Sequence, residues 1–280
     1  MVAESQSYRA AVLGAPIAHS LSPVLHRSGY AAVGLTRWRY DAIEVQESEL
    51  AGFVAGLDAS WRGLSLTMPL KEVAFEVAAA VSDVARRAGA INTLIRRADL
   101  AWDADNTDVI GIVESLRGVV HDGAALIIGA GATARSAVVA LTELGVEEVA
   151  IAARRREPAE ALVRFAREQG LTAGAVPLEQ WAEQPHRLVL STVPVAAGPA
   201  LVEAARTDTG RSRALSGTLF DVAYVPWPSP LAAAVEASGG RTIPGIEMLI
   251  HQAARQFELF TGVPADLAAM QAAGRAAAGV

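Results

Sequence analysis

Apolar and polar positions alternate along this chain in a pattern that predicts strands and helices in regular succession. The runs that predict strands are Tyr8–Leu13, Trp38–Ile43, Gly63–Thr67, Ala90–Ile95, Leu100–Asp103, Ala124–Ile128, Glu148–Ala152, Leu188–Ser191 and Thr218–Val222. Predicted helices begin near Ser22, Glu47 and Leu70 and cover Asp108–Arg117, Ala134–Leu144, Pro158–Gln169, Ala232–Ala237, Gly245–Thr261 and the alanine-rich Met270–Val280. This succession is typical of an α/β protein with largely parallel sheets.

Local signals refine three parts of this pattern. The continuous apolar run Ala124–Ile128 is typical of a central parallel strand that is buried on both faces. Ser22 suits the N-cap of the first helix and Pro23 its first position, because proline loses no helical hydrogen bond there. No element is predicted for Pro194–Arg213, which carries several turn residues.

Composition narrows the class of protein. The chain has 280 residues, of which 52% are apolar and 19% charged, which suits one large folded domain or two modest ones. The net charge of -6 argues against a nucleic-acid binder, whose phosphate contacts need a basic face. Because the chain has no cysteine, disulfides, thiolate catalysis and cysteine-ligated metals are excluded.

No targeting segment is visible in the sequence. The polar residues Met1–Arg9 lack the basic start and apolar stretch of a signal peptide. The most apolar stretch, Ala124–Leu141, contains Arg135 and loop glycines, which do not suit a membrane span. We therefore expect a soluble cytoplasmic protein that acts on small molecules and binds neither nucleic acid nor membrane.

A glycine-rich turn follows the predicted central strand. Residues Gly129–Ala134 have the pattern Gly-x-Gly-x-x-Ala and open a predicted helix. Glycines at such a turn let the backbone approach a pyrophosphate, whose charge lies against the positive end of the helix dipole. A tight turn that binds nothing is the alternative, but the strand before the motif and the helix after it favour a dinucleotide.

The end of the next strand distinguishes the two nicotinamide dinucleotides. Sites for NAD place a carboxylate there to bind the ribose 2'-hydroxyl. This chain instead has Arg154, Arg155 and Arg156, with no acid before Glu157. Guanidinium groups can bind a 2'-phosphate through paired hydrogen bonds. A solvated basic cluster is the alternative, yet the position favours NADP(H) as the cofactor.

Four short polar motifs lie outside the predicted dinucleotide site, at His19–Pro23, Ser65–Lys71, Gly89–Thr93 and Asp105–Asp108. Taken singly, they are explained by helix capping, a solvated lysine and the turn chemistry of asparagine. Ser20 and Ser22 could instead bind a carboxylate beside the backbone N–H groups of a helix start. His19, His26 and His251 lack the paired spacing of metal ligands, so no metal site is predicted.

The joint occurrence of these motifs carries more information than any one of them. The matching stretches are Gly14–Pro23, Thr67–Lys71, Gly89–Thr93, Asp105–Asp108, the glycine turn, Asp221–Tyr224 and Gly245–Gln252. In this order they resemble the shikimate dehydrogenase family over nearly the whole chain. The resemblance implies NADPH-dependent, reversible reduction of 3-dehydroshikimate to shikimate, a step of chorismate and aromatic amino acid biosynthesis.

The resemblance also implies an organisation into two domains. Residues 1–107 plus 243–280 would form an α/β substrate-binding domain completed by the C-terminal helices. Residues 108–242 would form a Rossmann-type NADP domain, with the active site in the cleft between the two. The oligomeric state is not visible in the sequence, and a homodimer is one assembly compatible with it.

Individual residues receive roles by the same resemblance. Lys71 and Asp108 would form the catalytic acid–base pair, and lysine can give a developing alkoxide both a proton and a positive field without a metal. The implied substrate-binding residues are Ser20, Ser22, Thr67, Lys71, Asn92, Asp108, Tyr224 and Gln252. The implied cofactor-binding residues are Gly129, Ala130, Gly131, Ala132, Thr133, Arg154, Arg155, Val222, Gly245 and Met248.

The chain departs from the family pattern in places that bear on NADP affinity and loop shape. The departures are Ser65 and Ala153, each usually asparagine, Ala132 and Thr133, usually glycine and alanine, and Ser191–Val193, usually Asn-Ala-Thr. None of them removes the implied catalytic pair.

Two alternatives stay open at this point. A member of the same family could act on quinate or an amino-shikimate, although Ser22, rather than a bulkier threonine, favours shikimate. A non-catalytic NADP-sensing protein with this fold would be expected to have lost the acid–base pair, and both of its residues are present.

Overall fold

The structure, a computed structural model, describes residues 7–119, 123–183, 186–205 and 216–280. Its described residues form twelve β-strands and eleven α-helices, so the predicted α/β class is confirmed. The chain divides into two compact units, one of residues up to Asp108 with Leu249–Ala277, the other of Val109–Met248 with Ala278–Val280. In the parts of the chain that the structure describes, no helix combines the length and the apolar character needed to span a bilayer.

The first unit is built on a six-stranded mixed sheet. Its strands are β1 (Tyr8–Gly14), β2 (Trp38–Glu44), β3 (Trp61–Leu66), β4 (Ala80–Val81), β5 (Thr93–Arg96) and β6 (Trp102–Asp105). They lie in the order β2-β1-β3-β5-β6-β4, and β1 is parallel to both of its neighbours. β5 runs antiparallel to β3 and to β6. The connection between β5 and β6 is too short for a crossover helix, so it can only form a hairpin.

Helices cover both faces of this sheet. They are α1 (Ser22–Ala32), α2 (Leu50–Ala55), α3 (Leu70–Val73), α4 (Asp83–Ala88), most of α10 (Gly245–Thr261) and α11 (Leu267–Ala278). Alternate residues of β1 enter different cores: Leu13 packs with one cluster, and Val12 packs with Phe257 and Phe260 of α10. Gly63 of β3 makes room for α10, because a Cβ there would lie 2.0 Å from the Phe260 ring.

The second unit has a six-stranded sheet in which every pair is parallel. Its strands are β7 (Ala124–Ile128), β8 (Glu148–Ala153), β9 (Thr172–Pro177), β10 (Leu188–Ser191), β11 (Thr218–Asp221) and β12 (Arg241–Pro244). The order is β12-β11-β10-β7-β8-β9, so the direction of strand addition reverses at β7. Ligands of such sheets bind beside the carboxyl ends of the strands at this switch point. The helices are α5 (Asp108–Leu116), α6 (Ala132–Glu143), α7 (Arg156–Glu168), α8 (Gly198–Ala204) and α9 (Pro230–Ala237).

The start of α1 differs from the prediction. Its N-cap is Leu21, which makes no capping side-chain hydrogen bond, and Ser22 is already helical, so the predicted capping role of Ser22 is wrong. The reason is local: the backbone N–H of Ser22 donates to Ser20 Oγ at 3.3 Å. Pro23 is therefore the second helical residue and not, as predicted, the first, although it still lies in the first turn, where its missing N–H costs no helical hydrogen bond.

Short elements account for most of the other differences. The sequence pattern missed α4, α8, β4, β9 and β12. β9 and β12 are edge strands with few large apolar residues, so they show no strand periodicity. The helix predicted from Glu47 is a 3-10 turn followed by α2. α8 lies in Pro194–Arg213, where no element was expected, and residues 206–213 of that stretch lie outside the described residues.

Candidate active site

Lys71 and Asp108 form an ion pair within the first unit. Lys71 lies in α3, which begins directly after Pro69, and its Nζ is 2.5 Å from Asp108 Oδ2. The two side chains are 12% and 2% exposed, so their attraction is only weakly screened by water. The pair can present a fixed ammonium group, with its protons, to an oxygen atom beside it.

Lys71 is also the only lysine in the chain, in which arginines supply the rest of the Lys and Arg count. Arginine keeps its proton throughout the physiological pH range, whereas lysine can release one. Among these cationic side chains, position 71 is therefore the one place where a proton can be given and taken back. The lysine count of the sequence therefore points to position 71 independently of the motifs.

The side chain of Asn92 joins this pair to Gln252 of α10. Asn92 Nδ2 lies 2.8 Å from Asp108 Oδ1 and 2.8 Å from Gln252 Oε1. Asn92 Oδ1 accepts hydrogen bonds from the backbone N–H of Thr107 at 2.7 Å and from Thr93 Oγ1 at 2.7 Å. Since donors face the oxygen and acceptors face the nitrogen, the orientation of the amide is defined by its network. Four predicted site residues are thus brought together.

A second asparagine fixes the backbone that carries Asp108. Asn106 Oδ1 accepts from the backbone N–H of Asp108 at 3.0 Å, and Asn106 Nδ2 donates to the carbonyl of Ala90 at 2.9 Å. The Asp105 carboxylate accepts from Ser82 Oγ at 2.5 Å. The turn before α5 is thereby tied to the segment that contains Asn92. This buried framework aims the Asp108 carboxylate at Lys71.

The other predicted substrate-binding residues of the first unit lie at the ends of β1 and β3. Ser20 is half-buried and Ser22 is buried at the start of α1. Thr67 follows β3 and binds Leu13 through its backbone N–H at 2.9 Å. Neither serine makes a direct hydrogen bond to the Lys71 pair among the bonds found for the described residues. Ser22 instead contacts the Tyr40 hydroxyl, which belongs to a row of buried polar groups.

These buried groups include residues to which the sequence gave no role. Tyr40, Ser65 and Gln256 form a hydrogen-bonded row inside the first unit, with Tyr40 Oη donating to Ser65 Oγ and Ser65 Oγ to Gln256 Oε1, each at 2.6 Å. Burial raises the pKa of the Tyr40 hydroxyl, against the opposing effect of hydrogen bonds with Ser65 and Ser22. Gln256 stands four positions after Gln252 on α10, a helical spacing that could have drawn attention to it.

The glycine turn of the second unit follows β7 as predicted. Gly129 has φ = +118°, and a Cβ there would lie 2.3 Å from Thr192 Oγ1, so the position requires glycine. Thr192 Oγ1 in turn donates to the carbonyl of Ile128 at 2.9 Å. Ala132 and Thr133 form the first turn of α6. The backbone at the mouth of α6 is therefore open to a ligand.

A cavity of about 460 Å³ adjoins this turn. Its lining comprises Gly129, Ala130, Gly131, Ala153, Arg154, Arg155, Pro158, Leu178, Val193, Pro194, Ala196 and Ala197. The three residues of the turn and both arginines predicted to bind the cofactor thus share one cavity. Its chemistry fits a dinucleotide phosphate: bare backbone and a helix N-terminus on one side, guanidinium groups on the other.

The remaining predicted cofactor residues lie at the carboxyl end of β11 and the start of α10. A Cβ on Gly245 would lie 2.0 Å from the carbonyl oxygen of Val222, so the first residue of α10 packs directly on that backbone. The buried Asp221 anchors this loop through Ser229 Oγ at 2.6 Å and the N–H of Ala223 at 3.2 Å. Burial raises the pKa of the Asp221 carboxyl and of the Tyr224 hydroxyl. Met248 is buried in α10.

Metal ligation has no visible basis within the described ranges. In that part of the chain, no group of three or more His, Cys, Asp or Glu side chains is placed to hold a metal ion. His26 is fully buried and stacks on Tyr40, with ring centroids 3.9 Å apart. Burial lowers its pKa to about 3.

A dinucleotide turn with a basic cavity, together with a lysine–carboxylate pair, defines the class of nicotinamide-dependent dehydrogenases. Comparison with known families agrees. Three family models match: the shikimate dehydrogenase substrate binding domain at residues 12–94, shikimate / quinate 5-dehydrogenase at residues 112–227, and the shikimate 5'-dehydrogenase C-terminal domain at residues 245–273. The chain belongs to the shikimate dehydrogenase family.

Individual relatives are similar over nearly their full length. A shikimate dehydrogenase (NADP(+)) of Thermus thermophilus is 35% identical over 97% of this chain and 99% of the relative. The crystal structure of Mycobacterium tuberculosis shikimate dehydrogenase is 38% identical, with a TM-score of 0.86 over 96% of this chain and 99% of that one. The Thermus thermophilus enzyme in complex with NADP(H) and shikimate is 33% identical, with a TM-score of 0.82 over 96% and 99%.

Proposed function

We propose that this protein catalyses the reversible, NADPH-dependent reduction of 3-dehydroshikimate to shikimate. The observation that carries the proposal is the cluster of Lys71, Asp108, Asn92 and Gln252, whose side chains meet in the first unit. One ammonium, one carboxylate and two amides suit a ring that bears a ketone beside hydroxyl groups. Membership of the family and the NADP-dependent activity named for its relatives support the same reaction.

Lys71 is the proton donor in this proposal. When bound, NADPH supplies the hydride to the carbonyl carbon, and negative charge then develops on the carbonyl oxygen. Lys71 Nζ donates a hydrogen bond to that oxygen and transfers its proton, which lowers the barrier through both charge stabilisation and general acid catalysis. Asp108 holds the ammonium group in place before the transfer. In the reverse direction, Lys71 accepts the proton of the hydroxyl group.

The amides and hydroxyls orient the ring in this proposal. Asn92 and Gln252 bind ring hydroxyl groups in this proposal, with a ring hydroxyl replacing the hydrogen bond between the two amides so that each has a free group for it. Ser20 and Ser22 bind the ring carboxylate near the start of α1, where backbone N–H groups and the helix dipole favour an anion. Thr67 and Tyr224 complete the list of proposed substrate contacts. Such positioning contributes to the rate because the reacting atoms no longer search for each other.

The cavity beside Gly129 is the proposed site of NADP(H). The turn Gly129–Thr133 would hold the pyrophosphate, and Arg154 and Arg155 would bind the 2'-phosphate through charge-assisted hydrogen bonds. Val222, Gly245 and Met248 are proposed to lie near the nicotinamide. We further propose that residues 1–107 plus 243–280 are the substrate-binding part and residues 108–242 the cofactor-binding part. Location in the cytoplasm and assembly as a homodimer stay predictions.

A direct assay tests the function. NADPH oxidation is followed at constant pH with 3-dehydroshikimate, and NADP reduction is followed with shikimate, quinate and an amino-shikimate in parallel. The proposal expects turnover with the shikimate pair and much weaker turnover with the other acids. Preference for quinate would identify another ring acid as the substrate, and NADPH binding without turnover of any acid would identify a binding protein.

A further inference from the structure

The hydrogen-bonded row of Tyr40, Ser65 and Gln256 ends at Asn92, the residue that binds the Asp108 carboxylate. Gln256 Nε2 donates to the backbone carbonyl of Asn92 at 3.1 Å and to Thr93 Oγ1 at 2.9 Å. Thr93 Oγ1 donates onward to Asn92 Oδ1 at 2.7 Å. All five residues are buried, with Tyr40 and Thr93 at 0% exposure and Gln256 at 1%. Water therefore does not compete for these polar groups.

The order of the protons in this row follows from one fixed acceptor. A backbone carbonyl can only accept, so the group of Gln256 that faces Asn92 must be the NH₂. Gln256 Oε1 then accepts the single proton of Ser65, and Ser65 in turn accepts the proton of Tyr40. Thr93 Oγ1 accepts from Gln256 and donates to Asn92 Oδ1 at 2.7 Å, and it also lies 3.3 Å from Thr107 Oγ1, where either hydroxyl could be the donor.

Gln256 and Gln252 lie four residues apart on one face of α10, and each binds a different part of Asn92. Gln252 accepts from the side-chain nitrogen of Asn92, while Gln256 donates to the backbone oxygen and, through Thr93, secures the side-chain oxygen. Without Gln256 the backbone N–H of Thr107 still donates to Asn92 Oδ1, so the amide keeps its orientation. Gln256 instead anchors the Asn92 backbone carbonyl and Thr93 Oγ1, and without these two bonds the segment could shift and carry the side-chain nitrogen of Asn92 away from its place beside Asp108.

We propose that Gln256 is a positioning residue that fixes the place of Asn92 for recognition of a ring hydroxyl by binding the Asn92 carbonyl and Thr93, with Ser65 and Tyr40 holding Gln256 in the required orientation. The inference rests on the proposed function. Gln256 acts through Thr93 and Asn92 and touches neither the reacting atoms nor the cofactor in this proposal. Its loss should therefore weaken binding of the ring acid and leave binding of NADPH unchanged.

The experiment measures KM for 3-dehydroshikimate and for NADPH, together with kcat, in the wild type and in Gln256→Leu. Leucine keeps most of the buried volume but makes no hydrogen bond. We expect KM for 3-dehydroshikimate to rise roughly ten-fold, the scale of one lost hydrogen bond to a buried polar group. KM for NADPH should change by less than about two-fold, because the proposed cofactor residues belong to the other unit. Ser28→Ala is the control, because it removes a hydroxyl that donates to the Ala269 carbonyl in the same unit and makes no bond to the Asn92 network among those found for the described residues.

A second variant, Gln256→Glu, gives a readout that loss of packing alone would not produce. A protonated glutamate can donate to the Asn92 carbonyl and still accept from Ser65, whereas an ionised one can only accept. Because the His26 ring also faces Gln256 and could pair with a carboxylate there, Gln256→Glu is made and compared in a His26→Phe background, where burial and the facing carbonyl raise the pKa of the new carboxyl above its ordinary value. The ratio of KM for the ring acid between Gln256→Glu with His26→Phe and His26→Phe alone should therefore approach one at acidic pH and increase as the pH rises. The corresponding ratio for Gln256→Leu should stay constant.

Each outcome has a consequence. No turnover by the wild type overturns the proposed function and this inference with it. Turnover by the wild type with an unchanged KM for the ring acid in Gln256→Leu overturns the inference alone, as does an equal rise of both KM values. If Gln256→Leu does not fold, the pH profile of Gln256→Glu decides, and a constant KM ratio there overturns the inference.

Discussion

The two units build their candidate sites from different materials. In the first unit, side chains make the site: an ion pair, two amides and a row of hydroxyls bind one another in the interior. In the second unit, backbone makes most of the site: a glycine turn, a helix start and an apolar wall, with two arginines at the end of β8. A change to one side chain in the first unit should therefore affect several others, whereas the arginines of the second should act on one group of one ligand.

The largest effect is expected at Lys71. Replacing Lys71 with Ala removes the only lysine and leaves the buried Asp108 carboxylate without its partner. We expect kcat to fall by about a thousand-fold or more, on the scale of a lost general acid, while NADPH binding is unchanged. Stopped-flow absorbance and NADPH fluorescence titration measure the two quantities. Lys71→Arg keeps the charge but cannot release the proton, so it should remain nearly as slow.

Near-normal turnover of either Lys71 variant would contradict the role given to this residue. The hydrogen-bonded network around Lys71 would then have no demonstrated part in the reaction. The contrast between the candidate sites of the two units would no longer hold. Loss of NADPH binding in Lys71→Ala would contradict the separation of roles in another way. A thermal unfolding scan of each variant shows whether the fold persists.

The next largest effect concerns the cofactor. Changing Arg154 and Arg155 together to Ala should raise KM for NADPH by roughly a hundred-fold, because two charge-assisted hydrogen bonds to a phosphate are lost. KM for NADH, which has no 2'-phosphate, should stay within about two-fold. Arg156→Ala is the matched control, since Arg156 is 91% exposed and pairs with Glu160 instead. Equal weakening of both cofactors would refute the proposed 2'-phosphate contact.

A smaller effect on stability is expected from His26 in the first unit. Burial lowers the pKa of this ring from 6.5 to about 3, with an opposing contribution from Gln256. Between these values the unfolded chain binds a proton that the folded chain does not, so the free energy of unfolding falls as the pH decreases below about 6.5. The slope from this one residue approaches 1.4 kcal/mol per pH unit.

Replacing His26 with Phe should remove this contribution while keeping a ring against Tyr40. Urea unfolding at pH 7 and pH 4.5 measures the change, and the variant should lose less stability on acidification than the wild type by about 2–3 kcal/mol. His19→Gln, at an exposed position, serves as the control and should follow the wild type. An equal loss in wild type and His26→Phe would show that another group governs the acid sensitivity.

The sequence predicted the second unit's binding turn better than the first unit's network, for a physical reason. The turn depends on consecutive residues: a continuous apolar run, then Gly129 and Gly131, then a helix. The network instead joins Tyr40, Ser65 and Gln256, which are distant in sequence and meet only after the sheet and α10 have packed. The sequence motifs still identified three residues of the site, Lys71, Asn92 and Asp108, because these lie in recognisable stretches of the chain.

Signals carried by single residues also failed at the start of α1 and at the edge strand β9. Ser22 has the chemistry of an N-cap, yet Ser20 takes its N–H and the helix begins without a side-chain cap. β9 has the sequence Thr-Ala-Gly-Ala-Val-Pro, which lacks the large apolar residues typical of a strand. It is a strand because its backbone pairs with β8. Hydrogen bonds between strands require no particular side chains, so such edges are hard to predict.

The single lysine has a practical consequence for the chemistry that can be done on this protein. Reagents that acylate or alkylate amines usually modify many surface lysines before they reach a functional one. Here the sequence contains one ε-amino group, at 12% exposure beside Asp108. Reductive methylation with an isotopic label would thus mark the proposed reaction centre with one lysine side-chain resonance.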